Sequence, residues 1–152
     1  MKTSANGIVF IRDLEGCKLK AYCDVGGIWT IGIGHTGKVG PEDAISQAEA
    51  DGLLALDLAL VEIGVGNSVK VALLHNEFDA LVSLAFNIGI AAFKYSTLVK
   101  YLNLKEFKMA TNEFKRWSYV NHAFVQALYE RRVKERDLFE TGKYVSRETK
   151  KT

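Results

Sequence analysis

A chain of 152 residues, 48% hydrophobic and 25% charged, is long enough to bury a core of its own and short enough to form one domain. Its formal charge of +2, with Lys and Arg scattered along the chain, excludes a strong nucleic-acid footprint. No apolar run reaches the ~20 residues of a membrane span, and the run from Ile8 to Ile11 is too short for the ~7–15-residue apolar stretch of a secretory signal.

In chain order, residues 4–14 read as a short helix: Ser4 caps its start, Ile8, Ile11 and Leu14 share a face, and Gly16 stops it. Glu15 therefore stands at a helix C-terminus. From Lys18 the period shortens to about two, with Leu19, Ala21 and Cys23 alternating against Lys18, Lys20 and Tyr22. Gly26-Gly27 supplies a turn before a second β-rich run, IWTIGIG, whose glycines allow another backbone or a ligand to approach closely. The expectation is a small antiparallel sheet of two or three strands over residues 18–38.

Beyond Pro41 the chain reads as helical. Ser46-Gln47-Ala48-Glu49 is a capping box, followed by Leu53, Leu54, Leu56, Leu60 and Val61 along a helix to about Ile63, where GVGNS breaks it. A very apolar helix from about Leu73 to Asn87 has little polar face and forms the buried centre of a helical lobe. Shorter helices are expected over about 96–102, 105–117 and 125–141, with Gly142 as a stop and a frayed polar tail over 143–152. The fold class is α+β in a single domain. A small lobe spans about 12–45 and a linking helix about 46–63, with a helical lobe at about 64–142 plus residues 1–11.

Cys17 and Cys23 are six positions apart. In an extended segment that is ~20 Å between α-carbons, against a limit of ~7 Å for a disulfide. Both read as free thiols in a reducing compartment. His35, His75 and His122 show no ligand spacing with them, so no metal site is expected.

The stretch from Glu15 to Gly37 holds the candidate chemistry. Cleaving a glycosidic bond requires one protonated carboxyl to donate to the leaving oxygen and one ionised carboxylate to direct a water or attack the sugar carbon. The negative end of a helix dipole and partial burial both disfavour the ionised form of a carboxyl placed as Glu15 is. Asp24 lies beside the glycine turn, near water, and Thr30 can fold back towards it across the hairpin, so the pair can hold one water. Taken singly, the commoner roles of the three are a helix-end charge, a turn former and a strand residue. Tyr22 and Trp29 can stack on a sugar face or pack the small lobe, Asn87 can cap its helix or face the cleft, and Trp117 reads as core.

The string Glu15-Gly16, Tyr22, Asp24, Gly27 and Thr30-Ile31-Gly32-Ile33-Gly34-His35-Thr36-Gly37 resembles the signature of the phage-type lysozymes, the endolysins of tailed phages. The resemblance continues in FDALVSLAFNIG at 78–89, STLVKYLN at 96–103, FKRW at 114–117 and RRVKERDLFETG at 131–142. It implies a lysozyme-like fold with a cleft between the lobes. By it, Glu15 is the general acid, Asp24 the catalytic aspartate and Thr30 the residue that helps place the water. Arg131 resembles the arginine that pairs with the catalytic glutamate, a cation acting against the effects of dipole and burial. His35 resembles a histidine bonded to an aspartate of the linking helix, here Asp57.

Between Trp117 and Arg131 the family commonly has a glycine-containing loop, often with a proline, whereas this chain reads SYVNHAFVQALYE. The resemblance implies a muramidase cutting the β-1,4 bond between N-acetylmuramic acid and N-acetylglucosamine of bacterial peptidoglycan, inverting because a water is held by Asp24 and Thr30. The alternatives are a catalytically altered peptidoglycan-binding module and a lytic transglycosylase of the same fold. No cofactor or metal, no nucleic acid and no stable membrane insertion is implied. A monomer held in the host cytoplasm until a holin opens the membrane completes the expectation.

Overall fold

A computed structural model describes residues 1–144 of the chain. Helix α1 (Ala5–Glu15) starts where the Ser4 side chain accepts a hydrogen bond from the Gly7 N–H at 3.0 Å, and Gly16 closes it by donating to the Arg12 carbonyl at 2.8 Å. Its buried face is Phe10 and Ile11.

Strands β1 (Lys18–Cys23) and β2 (Trp29–Gly32) form one antiparallel pair, with Tyr22 opposite Thr30 and Cys23 opposite Trp29. The alternation expected in β1 does not produce a buried face, for Leu19 is 39% exposed and Cys23 is exposed. A register shift between Lys18 and Tyr22 breaks the ladder, and the buried surface comes instead from Thr30, Ile31 and Ile33. Both cysteines are free thiols.

Helix α2 (Gln47–Ser68) begins at the capping box: the Glu49 N–H donates to Ser46 Oγ at 3.1 Å and the Ser46 N–H to Glu49 Oε1 at 3.4 Å. It does not end near residue 63, because GVGNS is helical through Ser68. Each helical glycine costs about 1 kcal/mol against alanine, and tertiary packing overrides that cost here. Gly64 lies where α2 meets α4 (Ile90–Lys94), and a Cβ at 64 would stand 2.6 Å from Ile90 Cδ1. Val65 and Val69, on either side of the second glycine, are buried in the core.

Helix α3 (His75–Ile88) is buried without interruption from Phe78 to Ala85 and packs against α1, α2 and α7 (Gln126–Thr141). Its Asp79, wholly buried, accepts from the Ser4 N–H at 3.0 Å and from the Tyr144 hydroxyl at 2.7 Å. Tyr144 therefore docks on the body, edge-on to Phe10, and is not frayed; the remainder of the expected polar tail lies outside the described residues.

The helix expected over 105–117 is broken into α6 (Phe107–Asn112) and a single 3-10 turn (Phe114–Arg116), preceded by α5 (Thr97–Asn103). Ahead of α7 stands a small hairpin that the residue pattern did not predict, β3 (Tyr119–Val120) and β4 (Ala123–Phe124). Asn121 and His122 form its two-residue turn with φ of 49° and 66°, the conformation that Asn-Gly usually supplies. Among the described residues no helix is long and apolar enough to cross a membrane.

Candidate active site

Glu15, the last residue of α1, is held at the junction of the sheet with the helical body, its side chain 13% exposed. Its carboxylate lies against Gly34, at a distance that leaves no room for a side chain there: a Cβ would stand 2.7 Å from Glu15 Oε2 and 3.0 Å from Phe86 Cε1. From α7, Arg131 donates through Nη1 to Glu15 Oε1, through Nε to Glu135 Oε2 at 3.2 Å and through Nη2 to the Ser83 carbonyl at 3.1 Å.

Glu135 is fully buried and shared, with Arg132 Nε 2.6 Å from its Oε1 and the Ser83 hydroxyl donating to its Oε2. Burial pulls the Arg131 guanidinium down, but the charges of Glu15 and Glu135 outweigh it and leave it raised. For Arg132 burial prevails and the shift is downward. Both remain cations, since an arginine does not deprotonate in a protein. Neither Glu135 nor Arg132 stood out in the sequence, where the i and i+3 spacing of charges on a helix reads as a solvated pair.

Asp24 forms the turn between β1 and β2. Its Oδ1 accepts from the N–H groups of Gly26 at 2.9 Å and Ile28 at 2.8 Å, a self-made turn typical of aspartate. Thr30, 3% exposed, donates its hydroxyl proton to the Ile28 carbonyl at 2.9 Å. Asp24 and Thr30 are thus fixed through the same residue, Ile28, rather than through a direct bond. The Thr30 oxygen keeps its lone pairs as acceptors.

Tyr22 stands opposite Thr30, with the Lys18 ammonium 4.3 Å above its ring centre. Burial first, and then the negative charges of Glu15 and Asp24, push its phenol up, which places it in the field of both carboxylates. Trp29 is 38% exposed, opposite Cys23. A cavity of about 270 Å³ opens between the Asp24 turn and the helical body, where Asn87, Trp117 and Tyr119 line its far wall. Trp117 packs on the core with one side and borders this cavity with the other. In the sequence Trp117 reads as core and not as a cleft residue.

On the other side of Gly34, a cavity of about 310 Å³ is lined by His35, Asp57, Phe86 and Ile90. There His35 Nδ1 is 2.7 Å from Asp57 Oδ2, tying the loop after β2 to α2. Among the described residues no group of His, Cys, Asp and Glu is arranged to hold a metal ion.

The small sheet set on a helical body is a lysozyme-like α+β fold, with the arginine-clamped Glu15 where sheet and body meet and the turn-bound Asp24 on a cavity between them. Residues 12–135 match the family model "Phage lysozyme", and the chain belongs to that family. It is similar to the endolysin of Acyrthosiphon pisum secondary endosymbiont phage 1, 40% identical over 93% of this chain and 100% of that relative. Similarity to the endolysin of Salmonella phage P22 is 42% identity over 91% of this chain and 98% of the relative. Among solved structures, the endolysin from Escherichia coli O157:H7 phage FAHEc1 superposes with a TM-score of 0.84 at 32% identity, covering 96% of this chain and 98% of that one. The chain is a muramidase of the endolysin kind.

Proposed function

We propose that the enzyme hydrolyses the β-1,4 bond between N-acetylmuramic acid and N-acetylglucosamine in peptidoglycan, with Glu15 as general acid and Asp24 with Thr30 as the water-holding pair. The observation that supports this most is the anchoring of Asp24 and Thr30 on one residue, Ile28, at 2.8 Å and 2.9 Å. It leaves Asp24 Oδ2 and the Thr30 lone pairs as two acceptors for one water.

Glu15 donates its proton to the glycosidic oxygen as the bond to the sugar carbon breaks. The water attacks that carbon from the opposite face and yields its proton to Asp24. Attack from that side inverts the anomeric centre, so the first-formed product is the α-anomer. Arg131 and the His35–Asp57 pair position the machinery, while Tyr22, Trp29 and Asn87 contact substrate. The proposed division is a small lobe at 12–45, the linking helix Gln47–Ser68 and a helical lobe completed by residues 1–11. The enzyme acts as a monomer and waits in the host cytoplasm for a holin to give it access to the wall.

The test is lysis of permeabilised Gram-negative cells by the wild type beside Glu15→Gln, with mass analysis of the released muropeptides. Clearing by the wild type alone, with reducing muramic ends, supports the assignment. Anhydro ends would show a transglycosylase, equal lysis by both proteins would remove Glu15 from the acid role, and a β-anomer as first product would overturn inversion.

A further inference from the structure

We propose that Tyr119, on the hairpin ahead of α7, is a specificity-determining residue whose ring forms the stacking surface for a sugar of the glycan strand beside Asp24. This rests on the muramidase reading and extends it to the far wall of the cleft. Tyr119 is 57% exposed, yet it borders the same cavity as Asp24 and Asn87. The side chain is thus exposed on a cavity that Asp24 also lines.

The ring is also fixed in place. It meets Phe124, its partner across the hairpin, edge-on at 5.7 Å and 71°, and Phe124 in turn rests on Tyr129 of α7 at 5.8 Å. The base of the hairpin is closed by the Val125 N–H donating to the Ser118 carbonyl at 2.8 Å. Arg132, wholly buried, donates to the Trp117 carbonyl at 3.2 Å and so ties the hairpin's entry to the ion cluster that holds Glu15. A row of three aromatics running from α7 to the cleft presents the terminal ring at little conformational cost on binding.

The chemistry fits a pyranose. Such a ring has one face of C–H bonds that packs on an aromatic face and a rim of hydroxyls that bond to polar neighbours, and Asn87 supplies an amide on the same cavity wall. The hairpin turn holds its shape although Asn121 and His122 both take positive φ, 49° and 66°.

The probe is a set of N-acetylglucosamine oligomers, titrated by NMR into the Glu15→Gln protein alone and combined with Tyr119→Phe, Tyr119→Leu or Tyr119→Ala. Kinetics on soluble glycan strands accompany it in the Glu15 background. Binding is expected to weaken about tenfold in Tyr119→Leu and Tyr119→Ala and to be retained within about twofold in Tyr119→Phe; KM rises by the same factor while kcat changes little. Tyr119→Leu keeps the apolar bulk, so loss in it is loss of the aromatic face rather than of the fold. Binding and KM unchanged in Tyr119→Leu would overturn the proposal. A wild type inert on glycan strands but binding oligomers in a Tyr119-dependent way would overturn the muramidase reading and leave the stacking surface standing.

Discussion

Replacing Gly34 by alanine separates a conformational cost from a steric one at the site. Gly34 has φ of +67°, and an added Cβ would stand 2.7 Å from Glu15 Oε2 and 2.9 Å from its Cδ. The left-handed conformation costs a residue with a Cβ roughly 1–2 kcal/mol. The Glu15 side chain cannot yield freely, because Arg131 holds it and Phe86 Cε1 closes the other side at 3.0 Å from the new atom. The carboxyl must be displaced by a few tenths of an ångström. Displacements of about 1 Å at a reacting centre cost on the order of 100-fold in rate, so with Glu15 in its proposed acid role a loss of about 2- to 10-fold in lytic activity is expected beside a stability loss of about 1–3 kcal/mol.

Gly142→Ala is the control. That glycine closes α7 at φ of +74°, and a Cβ there would make only ordinary contact with Asn76 at 3.7 Å. It is expected to lose about 1 kcal/mol with the activity of the folded enzyme unchanged. Urea unfolding and turbidimetric lysis measure both. A Gly34→Ala protein that loses only as much stability as the control and keeps its activity would contradict the steric clash with Glu15.

Two further outcomes concern the hairpin and the C-terminal contact. His122→Gly relieves a φ of 66° in the β3–β4 turn and, after the added entropy of the unfolded chain, is expected to gain about 0.5–1 kcal/mol; a loss in urea unfolding would contradict the turn assignment. Burial, and next the hydrogen bond to Asp79, push the Tyr144 phenol up. A raised folded pKa means that its contribution is complete below the unfolded value of ~10 and is lost as pH rises through the folded value. Tyr144→Phe should therefore be less stable at neutral pH and lose less on going above about pH 10, as thermal unfolding across that range would show.

Local chemistry was legible along the chain. Ser4 and the Ser46–Glu49 box start their helices through bonds within a few residues, Gly16 and Gly142 end theirs, and the Asp24 turn is made by its own side chain. The motif from Glu15 to Gly37 was readable only as a resemblance, since Glu15, Asp24 and Thr30 taken singly read as a helix-end charge, a turn former and a strand residue. Contacts distant in sequence were not readable. Whether Gly64 ends a helix or admits a neighbour depends on Ile90, 26 positions later, pressing within 2.6 Å of where its Cβ would be. The same holds for Asp79, an acid in an apolar helix that is satisfied from both ends of the described chain by Ser4 and Tyr144.

The sequence by itself thus determined the helix starts and the turn, because each rests on a few neighbouring residues. Only the tertiary structure decided the full length of α2, the buried cluster of Arg131, Arg132 and Glu135 behind Glu15, and the β3–β4 hairpin. Each of these is a balance between a local preference of about 1 kcal/mol and packing or charge pairing with residues whose proximity exists only in the folded chain.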